Sequence, residues 1–154
     1  MRIETTRFGP LEVAAEDVIE FPRGLFGFEE VDHFVLVERP EGSILKWLQA
    51  VGRPDLAFVV LDPSVFPGDY QFELSGEDRA ALGCTRQNEL MVWVIVGIPE
   101  DPREMTANLK GPILINPGRR LGRQILLEGD GHSPRYRIVD AIRGAQDPGS
   151  RARD

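Results

Sequence analysis

The chain has 154 residues, 42% hydrophobic and 28% charged, with 18 Lys and Arg against 25 Asp and Glu for a net charge of -7. That length suits one sizeable core in a single domain, and the acidic balance argues against generic binding to phosphate backbones, which takes a surplus of basic side chains. The lone cysteine, Cys84, excludes an internal disulfide and any multi-cysteine metal site, and without an apolar leader or a bilayer-length run the expectation is a soluble cytoplasmic protein.

Residues 2–8 alternate loosely and stop at Gly9-Pro10, which predicts a strand and a turn; 11–13 and 18–21 are further short strands, the second halted by Pro22. Phe21-Pro22-Arg23-Gly24-Leu25-Phe26-Gly27-Phe28 carries large apolar side chains on residues that resist regular structure, so it is a loop with aromatic cargo. Phe21 and Phe28 are assigned to the core and Phe26 to the surface. Residues 33–38 form a strand whose continuous apolar middle implies burial on both faces. After the turn Arg39-Pro40-Glu41-Gly42, residues 43–50 return as a strand, and 56–61 are a central buried one.

The loop 62–70 repeats the aromatic theme with Phe66 and Tyr70, and 70–74 alternate as a strand. Residues 75–82 are a helix: Ser75 caps it, Asp78 stands three residues on as in a capping box, and Gly83 stops it. Residues 90–98, the longest apolar run, are a second central strand. The most distinctive stretch is 105–127, where strands 113–116 and 124–127 are joined by a turn at Asn116-Pro117-Gly118. There Thr106, Asn108, Asn116 and Gln124 place hydroxyl and amide groups among apolar residues. Such groups suit another molecule's backbone, or they tie down the loop entering the hairpin, which is their commoner fate.

A last strand over 136–139 precedes a tail, 144–154, without apolar periodicity; the tail is expected to be disordered and the domain to span 1–143. About ten short strands and one short helix make an all-β chain that closes as a barrel or a sandwich, since otherwise many edges stay unpaired.

Reactive chemistry finds little support. Cys84 follows a helix C-terminus, whose dipole raises a thiol pKa, and neither His33 nor His132 is spaced to pair with it. Asp55, Asp62 and Asp69 lie beside turn-forming Pro and Gly, and Gly24-Leu25-Phe26-Gly27 lacks the ending of a phosphate loop. No catalytic residue, metal or cofactor is predicted. Two arginine clusters, Arg119, Arg120 and Arg123 with Arg135 and Arg137, would give an alternative function in nucleic-acid binding if the strands set them side by side. The acidic Glu73, Glu77, Asp78 and Glu89 flank the helix, with Asp62 and Asp69 close in sequence, and an acidic face there would steer a basic partner.

The ordered set Phe21-Pro22-Arg23-Gly24-Leu25-Phe26-Gly27-Phe28-Glu29, Leu48-Gln49-Ala50, Leu56-Ala57-Phe58-Val59-Val60-Leu61-Asp62-Pro63 and Tyr70-Gln71-Phe72-Glu73-Leu74 resembles the FliW family of flagellar assembly factors. Above all, so does Thr106-Ala107-Asn108-Leu109-Lys110-Gly111-Pro112-Ile113 followed by Ile115-Asn116 and Gln124. The resemblance implies a small cytoplasmic β-barrel-like protein without enzymatic activity. It further implies binding of flagellin and of the translational regulator CsrA, whose repression of flagellin mRNA it would antagonise, with no membrane and no direct nucleic-acid contact. The candidate partner-binding residues, chosen for their chemistry, are Phe26, Phe66 and Tyr70 from the loops and Thr106, Asn108, Asn116 and Gln124 around the hairpin, with Glu73, Glu77 and Asp78 steering a basic partner. Phe26 stands where the family commonly has Pro, Ala50 where Ser is expected, and a single Thr106 where two Thr are frequent.

Overall fold

Side chains on a strand alternate between two faces, so a strand that is apolar throughout must be covered twice. The computed structural model describes residues 1–68, 70–129 and 131–138, and it meets that demand with a closed cylinder wrapped from outside. The strands are β1 (Arg2–Ile3), β2 (Leu11–Glu12), β3 (Ile19–Glu20), β4 (His33–Val37), β5 (Leu45–Ala50), β6 (Ala57–Leu61), β7 (Met91–Gly97), β8 (Thr106–Ala107), β9 (Ile113–Asn116), β10 (Leu121–Gln124) and β11 (Tyr136–Arg137). One short helix, α1 (Gly76–Leu82), lies between β6 and β7.

Strands β3 to β7 pair antiparallel in sequence order, β10 lies parallel to β3, and β9 pairs with β10. β9 then returns to the first half of β7, with Met91 opposite Ile115 and Trp93 opposite Ile113, so seven strands close into a barrel. Closure removes the exposed edges an open sheet would present. The second half of β7 takes a different neighbour, β8, to which β11 adds, while β1 and β2 form a separate hairpin.

Phe34, Leu48, Val60, Trp93, Ile113 and Ile115 fill the interior. The residues between them face outward and are covered three times. The β1–β2 hairpin lays Ile3 and Leu11 on Val35 and Val37. Phe66, Ala107 and Ile138 cover Val59, Leu61, Val94 and Val96. Leu82 of α1, with Leu74 and Cys84, covers Leu114. This double burial explains the unbroken apolar runs at 56–61 and 90–98.

The aromatic loop turns inward as expected for Phe21 and Phe28: Phe21 and Leu25 join the interior, and Phe28 stacks edge-on against Phe58 at 5.2 Å. Gly24 makes this possible. Its φ is +62°, and a Cβ there would lie 2.5 Å from the Phe28 carbonyl oxygen, a space open only to glycine. Phe26 is left outside, 51% exposed. The helix also forms as predicted, with Ser75 Oγ accepting the Asp78 N–H at 3.0 Å and Gly83 ending it.

Some elements depart from the sequence reading. The first strand stops at Ile3 because Thr5 Oγ1 accepts the Phe8 N–H at 2.8 Å and donates to the Gly9 carbonyl at 2.7 Å, a local turn that replaces the ladder. β10 occupies 121–124 rather than 124–127, since the hairpin closes with Leu121 opposite Asn116 around the tip 117–120, where Arg120 adopts φ 55°. Residues 70–74 are not a strand, and among the described residues no ladder partner meets them. β8, unforeseen, arises where 106–107 reach the half of β7 that β9 leaves free. Asp69, Val139 and the tail 144–154, with the domain boundary placed at 143, lie outside the described residues. No helix among the described residues is long and apolar enough to cross a membrane.

Candidate partner-binding surface

The amides singled out in the sequence are internal ties. Asn116, 6% exposed, donates from Nδ2 to the Leu82 carbonyl at 2.7 Å and accepts the Gly118 and Arg119 N–H groups on Oδ1 at 3.2 and 3.4 Å. It thereby joins the hairpin tip to the end of α1, whose last carbonyls have no helical donor. Gln124, also buried, donates to the Gly111 carbonyl at 2.9 Å and accepts the Phe26 N–H at 2.9 Å. Asn108 Oδ1 accepts the N–H groups of Lys110 and Gly111, both at 3.0 Å, in a side-chain turn. Thr106 is half-buried against Gly97.

Burial therefore leaves little of Asn116, Gln124 and Phe66 open to a partner. Phe66 is 7% exposed and packs edge-on against Tyr136 at 5.0 Å, because the loop after β6 folds back over the barrel wall. Tyr70 is half-buried and donates its hydroxyl to the Leu109 carbonyl; burial pushes its phenol well above the usual range.

The accessible candidates gather on one side. Phe26 and Leu126, 51% and 62% exposed, line a concavity of about 280 Å³ with Arg23, Glu77 and Asp78. A second concavity, of about 590 Å³, continues past Leu126 to Phe72, Glu73, Glu128 and His132, and Ser75, Asp78, Ile125 and Leu126 belong to both. The floor between them is fixed by Arg123, whose side chain is 15% exposed and whose Nε and Nη2 reach Asp78 at 3.0 Å and Glu77 at 3.3 Å. Arg23 reaches Glu77 at 3.4 Å, an exposed pair worth little in water. Gln124 holds the Phe26 backbone, so the amide that sequence offered as a contact positions an exposed aromatic ring.

Leu126 is an exposed apolar residue lining both concavities that sequence reasoning did not name as a candidate. Ile125 and Leu127 are both buried, and a period of two then turns Leu126 outward; the signal lay in treating 125–127 as extended and asking which face each residue takes. Glu89, grouped with the acidic set, stands apart near Cys84. Asp62 caps the turn after β6 by accepting the Ser64 N–H at 2.9 Å.

Glu89 accepts three hydrogen bonds, from the Arg86 N–H at 2.8 Å, the Thr85 hydroxyl at 3.0 Å and the Thr85 N–H at 3.2 Å, which hold its carboxyl below the usual range. A depressed folded pKa contributes stability that is present above the unfolded value and lost as pH falls through the folded one. Glu89→Gln is therefore expected to flatten the acid limb of the stability curve below about pH 4.5. Urea midpoints of both proteins between pH 3 and 7 check this; parallel limbs would refute it.

The Cys84 thiol is raised, first by burial and then by Glu89, so it is a poor nucleophile. His33 pairs with Asp32 at 2.8 Å and His132 donates to the Gln71 carbonyl at 3.0 Å. Among the described residues no group of His, Cys, Asp or Glu is arranged to hold a metal ion. The two arginine clusters are not side by side. The tip carrying Arg119 and Arg120 extends from the Met91 end of β7, whereas Arg137 pairs opposite Thr106 at its Gly97 end.

Comparison with known proteins places this geometry. The family described as FliW protein matches residues 2–138. A flagellar assembly factor FliW of Caldanaerobacter subterraneus subsp. tengcongensis is 42% identical over 146 residues, covering 94% of this chain and 97% of the relative. One of Leptospira interrogans is 40% identical over 142 residues, covering 92% and 95%. A crystal structure of the flagellar assembly factor FliW superposes with a TM-score of 0.83 at 30% identity, covering 90% of this chain and 96% of that one. With sequence and fold agreeing over nearly its whole length, the chain belongs to the FliW family.

Proposed function

We propose that this protein is a non-enzymatic cytoplasmic regulator that binds flagellin and the translational regulator CsrA, relieving CsrA repression of flagellin mRNA while flagellin is scarce in the cytoplasm. Family membership supports the choice of partners. The observation that carries the surface is the pairing of exposed Phe26 and Leu126 beside the carboxylates of Glu73, Glu77 and Asp78. Apolar side chains supply the desolvated contact, and the acidic rim speeds encounter with a basic partner such as CsrA. Tyr70 and Thr106 are half-buried and line neither concavity.

The test is calorimetry of the intact protein against purified flagellin and CsrA. Phe26→Ala and Leu126→Ala are each expected to weaken binding by about tenfold or more, in line with loss of an apolar anchor, with the melting temperature held within about 2 °C because both residues are more than half exposed. The affinity for CsrA should fall as salt rises. Properly folded samples in which neither partner binds would end the proposal.

A further inference from the structure

Two segments border the groove with backbone groups that no other backbone meets among the described residues. Beyond β10, Ile125 and Leu127 turn their N–H groups inward to the carbonyls of Pro112 at 3.0 Å and Lys110 at 2.8 Å. Alternate residues of an extended chain address opposite edges, so Leu126 and Glu128 address the groove, and their backbone groups meet no backbone partner among the described residues. Across from them, Phe72, Glu73 and Leu74 belong to no helix or ladder, change burial from residue to residue, and have no backbone-to-backbone hydrogen bond among the described residues. Leu74 is only 5% exposed, a place where backbone polar groups ordinarily find partners. Phe72 and Glu73 line the same concavity as Leu126 and Glu128.

From this we infer that the groove is the place of a missing strand: it takes an extended segment of a protein partner, which adds along the 126–128 edge with 72–74 as its far wall. Strand addition draws affinity from main-chain hydrogen bonds and specificity from alternate side-chain pockets. Leu126 and Glu128, two residues apart on one face, set an apolar and an acidic contact in turn beside the incoming side chains of that face, and Phe72 and Glu73 offer the same pair of chemistries from the far wall. Glu73 and Glu128, which have no cationic partner among the described residues, select basic residues. The occupant is therefore an extended protein segment that carries apolar and basic side chains in turn along one face. This rests on the reading that the chain works by holding protein partners, and adds the manner of holding.

The probe is an acetylated, amidated octapeptide of two Lys-Lys-Val-Val repeats, which sets Lys and Val in turn along each face, titrated into the intact ¹⁵N-labelled protein. Saturable shifts are expected at the amides of Leu126 and Glu128 and of residues 72–74. N-methylation of alternate residues, or replacement of Lys by Glu, should weaken binding at least tenfold. No shifts at those amides, or equal binding of the N-methylated peptide, overturns the inference. A second arm measures amide exchange in complexes with flagellin and CsrA. Slowed exchange at Leu126 and Glu128 supports strand addition, and a bound partner that leaves both amides unchanged overturns it. If the octapeptide occupies the groove while neither protein binds, strand addition stands and the choice of partners falls.

Discussion

Gly122→Ala is expected to lower stability by about 3 kcal/mol or more, at the upper end for overpacked cores, and the melting temperature by roughly 6–12 °C for a chain of this size. Gly122 sits on the inner face of β10, where a Cβ would stand 2.3, 2.4 and 2.7 Å from three carbons of the Phe21 ring. That ring is fully buried and meets Phe34 edge-on at 5.3 Å. It cannot retreat, because a close-packed interior holds no spare volume of that size. The double variant Gly122→Ala with Phe21→Leu should recover part of the loss, giving a favourable coupling between two residues that touch. Calorimetric melts of the parent, both single variants and the double would settle it. Strict additivity, or a Gly122→Ala protein that melts with the parent, would show that the ring does not press on β10.

Asn116→Asp is the second substitution with a large expected effect, about 2–4 kcal/mol at neutral pH. The change is isosteric, yet it replaces the Nδ2 donor with an oxygen facing the Leu82 carbonyl at 2.7 Å, at the negative end of α1. Two acceptors then oppose each other where Asn116 is only 6% exposed. The new carboxyl holds its proton more tightly in the folded state than in the unfolded one, so its folded pKa lies above the ordinary aspartate value of about 3.9. Such a group destabilises where it is ionised. The penalty is full at neutral pH and fades as pH falls through the raised folded value. Asn116→Ala should instead cost about 1–3 kcal/mol from orphaned polar groups, with no such pH dependence. Urea unfolding at pH 7 and pH 4 separates the two, and an Asn116→Asp protein equally impaired at both would contradict this account.

How much of this was legible in the chain varies with the range over which the signal acts. The central strands were plain because unbroken apolar runs of strand length have one economical explanation, burial on both faces. The helix was legible from Ser75, Asp78 and Gly83, whose capping roles are local. The burial of Phe66 was not, since nothing near it in sequence shows that Tyr136 lies beneath its ring. Asn116 and Gln124 were found as special residues, but their partners at Leu82, Gly111 and Phe26 are long-range in sequence, so composition could not say whether they faced inward or outward. The register of β10 failed for a similar reason: the tip at 117–120 depends on Arg120 adopting a left-handed conformation that the sequence around it does not announce. The strand expected at 70–74 did not form, because alternation in sequence cannot supply the ladder partner that these residues lack among the described residues.

The cylinder has one weak seam. β3 and β10 meet through a single parallel pair, Leu121 opposite Glu20, with the Glu20 N–H donating to the Arg120 carbonyl at 2.9 Å. The β4–β5 and β5–β6 ladders are several residues long. Thermal breathing of the barrel is therefore expected to begin along that line, parting Phe21 from Gly122 and admitting water to the hydrocarbon interior before any longer ladder comes undone.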